Sequence, residues 1–424
     1  MGVKIAVVGG GSTYTPELVE GFEARRDRMP IDELVLLDTD PRRLEIVGGL
    51  AQRMLDRLDW TGRLRCTGDR DAAIDGADFV LIQLRVGGQA ARLVDETLPP
   101  TFGVVGQETT GAGGFAKALR TVPVVLELAE LTAKRGAPGA WIVDFTNPVG
   151  IVSQALLDAG HRAIGLCNVA INIQRGMAER FGVAPDRVEL EHVGLNHLSW
   201  ERAVRIDGVD RLPELVDGDA EGLGAMVGVP AELVRAVRAI PSYYLRYYYQ
   251  TGQVVEDQRA GHTRAQEVID IESQLLDLYQ DQGLAEKPAL LSTRGGAYYS
   301  EAAAQLIASL HDGAGDVQVV DVRNDGALPG LPDAAVVEIP ARIDRDGAHP
   351  ITMGPLSTDM LGLVQAVKAY EMLAIEAATT GDRRTALRAL LANPLVADYD
   401  IAAPLLDALL EANRAHLPRF FAGR

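Results

Sequence analysis

Cys167 and His197 are the side chains in this sequence best suited to a soft or borderline divalent metal. They lie thirty positions apart, in Gly165-Leu166-Cys167-Asn168 and Gly194-Leu195-Asn196-His197. A thiolate and an imidazole leave coordination positions open for substrate oxygens. A lone thiol and a lone histidine are also ordinary core residues, and the spacing leaves both readings open. Tyrosine is the second unusual feature, because five of the eleven fall within Tyr243–Tyr249. At helical spacing Tyr244, Tyr247 and Tyr248 share one face, which ordinarily means packing. A tyrosine works as a general base only where cations or a metal lower its pKa from about 10. Arg246, Arg259, His262 and Arg264 are the nearby sources of positive charge.

A phosphate site is suggested at the other end of the chain. Gly9-Gly10-Gly11-Ser12-Thr13-Tyr14 closes the first apolar run. Glycines there let the backbone approach a pyrophosphate, and the following helix N-terminus offers free N–H groups. Tyr14 replaces the third glycine of the usual fingerprint. Asp38 closes the second run, where an acid accepts hydrogen bonds from a ribose and repels a 2′-phosphate, favouring NAD over NADP. Asn147, in Asp144-Phe145-Thr146-Asn147-Pro148, is either a turn residue or a contact to cofactor or substrate. Arg85, Arg92 and the stretch Gly106-Gln107-Glu108-Thr109-Thr110-Gly111 follow a further strand. Such arginines suit a phosphate or carboxylate, or else form a solvated salt-bridge face.

These residues need a scaffold, and the first half of the chain provides a regular one. Short runs rich in Val, Ile and Leu at Lys4–Gly10, Glu33–Asp38, Asp78–Leu84, Ala140–Phe145 and Arg162–Cys167 read as strands covered on both faces. Helical patterns alternate with them, which predicts an α/β, Rossmann-like doubly wound parallel sheet. Residues 1–193 are assigned to this dinucleotide-binding unit. Residues 194–424, with possible antiparallel strands at Glu191–Asp207 and three long helical patterns, are assigned to a mixed α+β unit closing over the sheet's carboxyl edge. Arg211–Val229 and Asp344–Pro355 read as surface loops. A net charge of −18 argues against nucleic acid and anionic membrane surfaces. The two distant cysteines give no disulfide framework, and no apolar stretch approaches the roughly 18 residues that span a bilayer. The expected location is the cytoplasm.

The runs GGGSTYTPELVEG, RVGG, GVVGQETTG, DFTNPVG, GLCNV, GLNH, YLRYYY, HTRA, RGGAYYS and NDGAL occur in that order across almost the whole chain. Together they resemble the NAD-dependent, divalent-metal-dependent glycosidases of glycoside hydrolase family four, and most closely their 6-phospho-β-glucosidase branch. The resemblance implies a hydrolysis that departs from the usual carboxylate pair. In the family mechanism NAD+ takes a hydride from sugar C3, and a metal such as Mn2+ polarises the resulting ketone. A tyrosine removes the acidified C2 proton, the C1–O bond eliminates, water adds, and the hydride returns to C3.

Carried onto this chain, the resemblance makes Cys167 and His197 the metal ligands and Tyr244 the C2 base. Glu108 becomes the acid that raises that tyrosine's basicity. Arg92, Asn147, Asn168 and Arg264 become substrate-binding residues, and Gly9, Gly11, Ser12, Thr13, Asp38 and Arg85 the cofactor-binding set. The family's α-glycosidases carry Asp directly after the metal cysteine, whereas this chain has Asn168, as the β-branch does. An amide cannot give up a labile proton as a carboxylic acid can. Ala112 and Ala170 depart from prolines of the family pattern, near where a 6-phosphate would bind. The implied substrate is a phosphorylated disaccharide such as cellobiose 6′-phosphate, and the implied assembly a homodimer or homotetramer. The other readings are an unphosphorylated or differently charged glycoside, a simple NAD-dependent hydroxy-acid dehydrogenase, and a non-catalytic NAD-sensing protein.

Overall fold

The computed structural model describes residues 2–261, 263–295 and 298–422. His262, and Gly296 and Ala297 of the RGGAYYS run, lie outside the described residues. The strands are β1 (Val3–Val8), β2 (Ile31–Leu37), β3 (Arg63–Thr67), β4 (Phe79–Ile82), β5 (Trp141–Asp144), β6 (Ala163–Gly165), β7 (Val188–Leu195), β8 (Leu198–Ile206), β9 (Val209–Asp210), β10 (Ile240–Pro241), β11 (Asp316–Arg323), β12 (Val336–Asp344) and β13 (Gly347–Pro350). β1 to β6 are parallel in the order β3-β2-β1-β4-β5-β6, the order of a doubly wound dinucleotide fold. Chain order reverses between β1 and β4, and a crevice opens there at the carboxyl ends. β1 and β4 are buried almost throughout, which is why their sequences are unbroken apolar runs.

The second half does not simply sit on this sheet. β11 pairs antiparallel with β6 through Asp321 and Gly165, and β12 and β13 extend the sheet to nine strands. Residue 194, where the sequence texture changes, falls inside β7, which pairs with β8 in a second small sheet.

One strand was not foreseen, and two local expectations are corrected. β3 is an edge strand, Arg-Leu-Arg-Cys-Thr, whose alternating charges hide it from a search for apolar runs. Arg211–Val229 is not a surface loop. It forms helices Leu212–Gly218 and Ala220–Val227, which bury Leu212, Leu215, Val216, Leu223 and Val227, and the Asp219 carboxylate caps the second helix at the Gly222 N–H. Within Asp344–Pro355, β13 turns back on β12, with the Asp346 N–H donating to Asp344 at 2.9 Å to close the turn. Among the described residues no helix is long and apolar enough to cross a membrane.

Candidate active site

A cleft of about 1070 Å3 runs along the carboxyl ends of the parallel strands. At one end Gly9 sits at φ +88°, in the left-handed region, where a Cβ would lie 2.9 Å from the Gln83 carbonyl carbon. The Gly11 N–H donates to Asp38 Oδ2 at 2.9 Å, and the Asp40 N–H to Asp38 Oδ1 at 3.0 Å. Gly9, Ser12 and Asp38 line the cleft. Gly11 and Thr13 shape the loop from behind. Thr13 is fully buried, and its carbonyl accepts the Tyr279 hydroxyl at 2.7 Å. An open glycine backbone, a following helix at Thr15–Glu23 and a strand-end acid fit a pyrophosphate and its ribose.

Glu108 is the electrostatic centre of the opposite end. Its carboxylate pairs with Arg85, with Lys117 Nζ at 2.6 Å and with Arg92 Nε at 3.3 Å. Burial pushes this carboxyl up, but Arg85, Lys117 and Arg92 outweigh it and hold Glu108 well below the usual carboxylate range. Burial and the Arg85 charge push Lys117 down to about 7, against the pull of Glu108. Arg85, expected at the cofactor, is therefore engaged by Glu108, and Arg92 is shared between Glu108 and Glu96, 2.8 Å away.

The tyrosine segment is a 3-10 turn, Tyr243–Leu245, running into a short helix, Arg246–Tyr249. That change of phase breaks the expected common face. Tyr244 and Tyr247 line the cleft with ring centroids 6.2 Å apart, whereas Tyr248 lines a separate small cavity beside Tyr370 and Glu371. Tyr244 stacks on His197 at 3.7 Å, and the Tyr299 hydroxyl donates to Cys167 Sγ at 3.6 Å. His197 belongs to the two-residue turn between β7 and β8 and has φ 64°, which a non-glycine residue rarely adopts. Its neighbour Asn196 donates to Glu338 at 2.7 Å, and His192 bridges Glu338 and Glu201 at 2.8 and 2.7 Å. Burial pushes His192 down, but those two carboxylates outweigh it and raise it to about 10. The strained turn is thus anchored from below.

Both ring nitrogens of His197 are buried without a hydrogen-bond partner among the described residues, and burial pushes this imidazole down to about 3. Cys167 is also buried. A neutral imidazole with idle nitrogens and a thiol, each held against a cleft tyrosine, fit a borderline divalent ion. Among the described residues no cluster of three or more His, Cys, Asp and Glu forms, so two protein donors would leave positions for sugar oxygens. Asn147, Asn168 and Arg264 line the same cleft. Asn147 Oδ1 is buried without a partner among the described residues, and Arg264 pairs with Glu267 at 2.7 Å and donates to the Thr293 carbonyl.

Sequence reasoning missed Lys117, Tyr299 and Glu272. The only signal for Lys117 was a cation, with Arg120, in the otherwise apolar start of the helix Gly111–Arg135. Tyr299 lay within a quoted motif but received no role. Glu272, which joins Arg43, Gln89 and Arg294, resembled any polar residue of an amphipathic helix.

The sequence profile described as Family 4 glycosyl hydrolase matches residues 4–183, and that of the Family 4 glycosyl hydrolase C-terminal domain matches 192–396. The chain is 43% identical to the probable 6-phospho-β-glucosidase of Bacillus subtilis (strain 168), covering 99% of this chain and 98% of the relative. Among solved structures it resembles the 6-phospho-β-glucosidase from Thermotoga maritima with manganese, NAD+ and glucose-6-phosphate. That match has TM-score 0.92 and 37% identity, covering 98% of this chain and 99% of the other. The 6-phospho-α-glucosidase from gut microorganisms with NAD and glucose-6-phosphate matches at TM-score 0.91 and 30% identity, covering 98% and 99%.

Proposed function

This chain belongs to glycosyl hydrolase family 4, and from that premise we propose that it hydrolyses 6-phospho-β-glucosides with NAD+ and a divalent cation such as Mn2+ bound. One observation carries the reading. One cleft joins Gly9, Ser12 and Asp38 to Asn147, Asn168 and Tyr244, with Cys167 and His197 held against its tyrosines. Residues 1–193 would carry the dinucleotide, and residues 194–424 would complete the sugar site and the subunit contacts.

The bound dinucleotide supplies a hydride acceptor for sugar C3, and the cation at Cys167 and His197 supplies Lewis acidity for the adjoining oxygens. Tyr244 takes the C2 proton at its phenolic oxygen. Burial, and after it Tyr243, Tyr299, Cys167 and Tyr247, push this phenol well above 10, the wrong direction for a base, so positive charge has to offset it. Arg92 lies close enough to Tyr244 to interact with its charge. Glu108 gathers Arg85, Lys117 and Arg92 on this side of the cleft, and through Arg92 its cluster supports the base as a group. The unpartnered Oδ1 of Asn147 is an acceptor ready for a sugar hydroxyl. Asn168 binds but cannot protonate the leaving oxygen as a carboxylic acid would, so water or another group supplies that proton.

The B. subtilis and T. maritima relatives support the 6-phosphate. Ala112 and Ala170 fall in the first turns of helices Gly111–Arg135 and Val169–Phe181, where alanine and proline are both accommodated, so neither departure disturbs the local backbone. A sugar phosphate is retained inside membranes by its charge, which supports a cytoplasmic location. The family resemblance supports a homodimer or homotetramer. The test is an assay of p-nitrophenyl glucoside and its 6-phosphate, as α and β anomers, with and without NAD+ and Mn2+. The β-6-phosphate alone should turn over, and only with both additions. Turnover without NAD+, or preference for the unphosphorylated sugar, would overturn the reading.

A further inference from the structure

Glu272 lies on helix Arg264–Tyr279, in the second half of the chain, yet it lines the cleft on the same wall as Asp38, Asp40 and Arg43. Arg43 occupies the first turn of helix Pro41–Arg57, directly after the strand-end acid. In dinucleotide folds an arginine near that position accommodates a ribose 2′-phosphate. Here the guanidinium is already engaged. Nε donates to the Gly11 carbonyl at 3.1 Å, and Nη1 and Nη2 both reach Glu272 Oε2 at 3.3 Å. Glu272 Oε1 accepts from Arg294 Nη2 at 2.6 Å and from Gln89 at 3.0 Å.

We propose that Glu272 is a specificity-determining residue that makes the pocket reject a 2′-phosphorylated dinucleotide by neutralising Arg43 and presenting a carboxylate of its own. The inference rests on the reading of Gly9–Asp38 as a dinucleotide site. Burial pushes Glu272 up, but Arg294 and Arg43 outweigh it and bring it down to about 2, so it is charged at any working pH. The Asp40 carboxylate is committed to the Arg42 and Arg43 N–H groups as a helix cap. A phosphate beside Arg43 therefore meets Asp38, Asp40 and Glu272, with the arginine paired to a carboxylate that Arg294 shares, so the group of Glu272, Arg43 and Arg294 keeps one positive charge against the two negative charges of Asp38 and Asp40. Arg70, also on this wall, faces Glu127 at 3.8 Å. Asp38 alone would disfavour the phosphate, and Glu272 removes the cation that could compensate.

The test is direct binding of NAD+ and NADP+ by isothermal titration, without glycoside or metal, so no turnover is needed. Wild-type protein should prefer NAD+. E272Q should narrow the ratio of the NADP+ to NAD+ dissociation constants by about tenfold or more, because it frees a charge close to the phosphate. The double variant E272Q/R43M should return the ratio towards wild type. R43M alone should move it less than about threefold, since that charge is already matched, and this arm stands even if E272Q fails to fold. An unchanged ratio in E272Q with NAD+ still bound would overturn the inference and leave the dinucleotide reading intact. A large widening in R43M would also overturn the inference. Wild-type protein that binds neither dinucleotide would overturn both.

Discussion

Replacing Glu108 with Gln removes one negative charge and keeps the side chain's shape. The carboxylate is buried among Arg85, Lys117 and Arg92, so the change leaves three cations facing an amide. Breaking a buried ion pair from one side typically costs about 3–5 kcal/mol. Part of that is recoverable here, because Lys117 is already held near 7. Without Glu108 the largest raising influence on Lys117 is gone while burial, Arg85 and Arg92 still lower it, so it releases its proton at neutral pH. The sign then follows. Above about pH 7 Lys117 is neutral in both proteins, and the deficit reflects Arg85 and Arg92 alone. Below about pH 7 wild-type protein regains the Lys117–Glu108 pair and the variant does not, so the deficit grows as pH falls. Urea unfolding of both proteins at about pH 6 and about pH 9 should give a deficit of about 2–4 kcal/mol that is larger at the lower pH. A deficit below about 1 kcal/mol, or one that does not change between the two pH values, would refute the reasoning.

Gly9→Ala forces a Cβ into a left-handed position 2.9 Å from the Gln83 backbone. It should cost about 1–2 kcal/mol in urea unfolding and weaken NAD+ binding at least about tenfold. Tyr244→Phe should lower kcat/KM about a hundredfold or more while the NAD+ dissociation constant, read by titration, changes less than about twofold. Removing divalent metal with a chelator should abolish turnover and leave NAD+ binding in place, and added Mn2+ should restore activity.

β1, β2, β4, β5 and β6 were legible because strands covered on both faces are unbroken apolar runs. β3 was not, because an edge strand alternates charge with apolar residues. The helices at 212–227 were not, because Pro213, Gly222 and Gly224 mimic loop composition while the buried leucines and valines lie at helical spacing. At the site, residue type and position pointed to Asp38, the family resemblance added roles for Asn147 and Tyr244, and the structure puts all three on one cleft. What surrounds them came from contacts distant in sequence. Glu272 meets Arg43 across 229 positions, and Tyr299 meets Cys167 across 132. Local periodicity carries no signal for such pairs, and it failed at Tyr248, where a 3-10 turn shifts the helical phase.

The most direct test of the account is hydrolysis of a 6-phospho-β-glucoside in D2O, with the released sugar phosphate analysed at C2. Removal of that hydrogen by a tyrosine predicts deuterium at C2 of the product, with no net accumulation of NADH. A product that keeps its original hydrogen at C2 would contradict it.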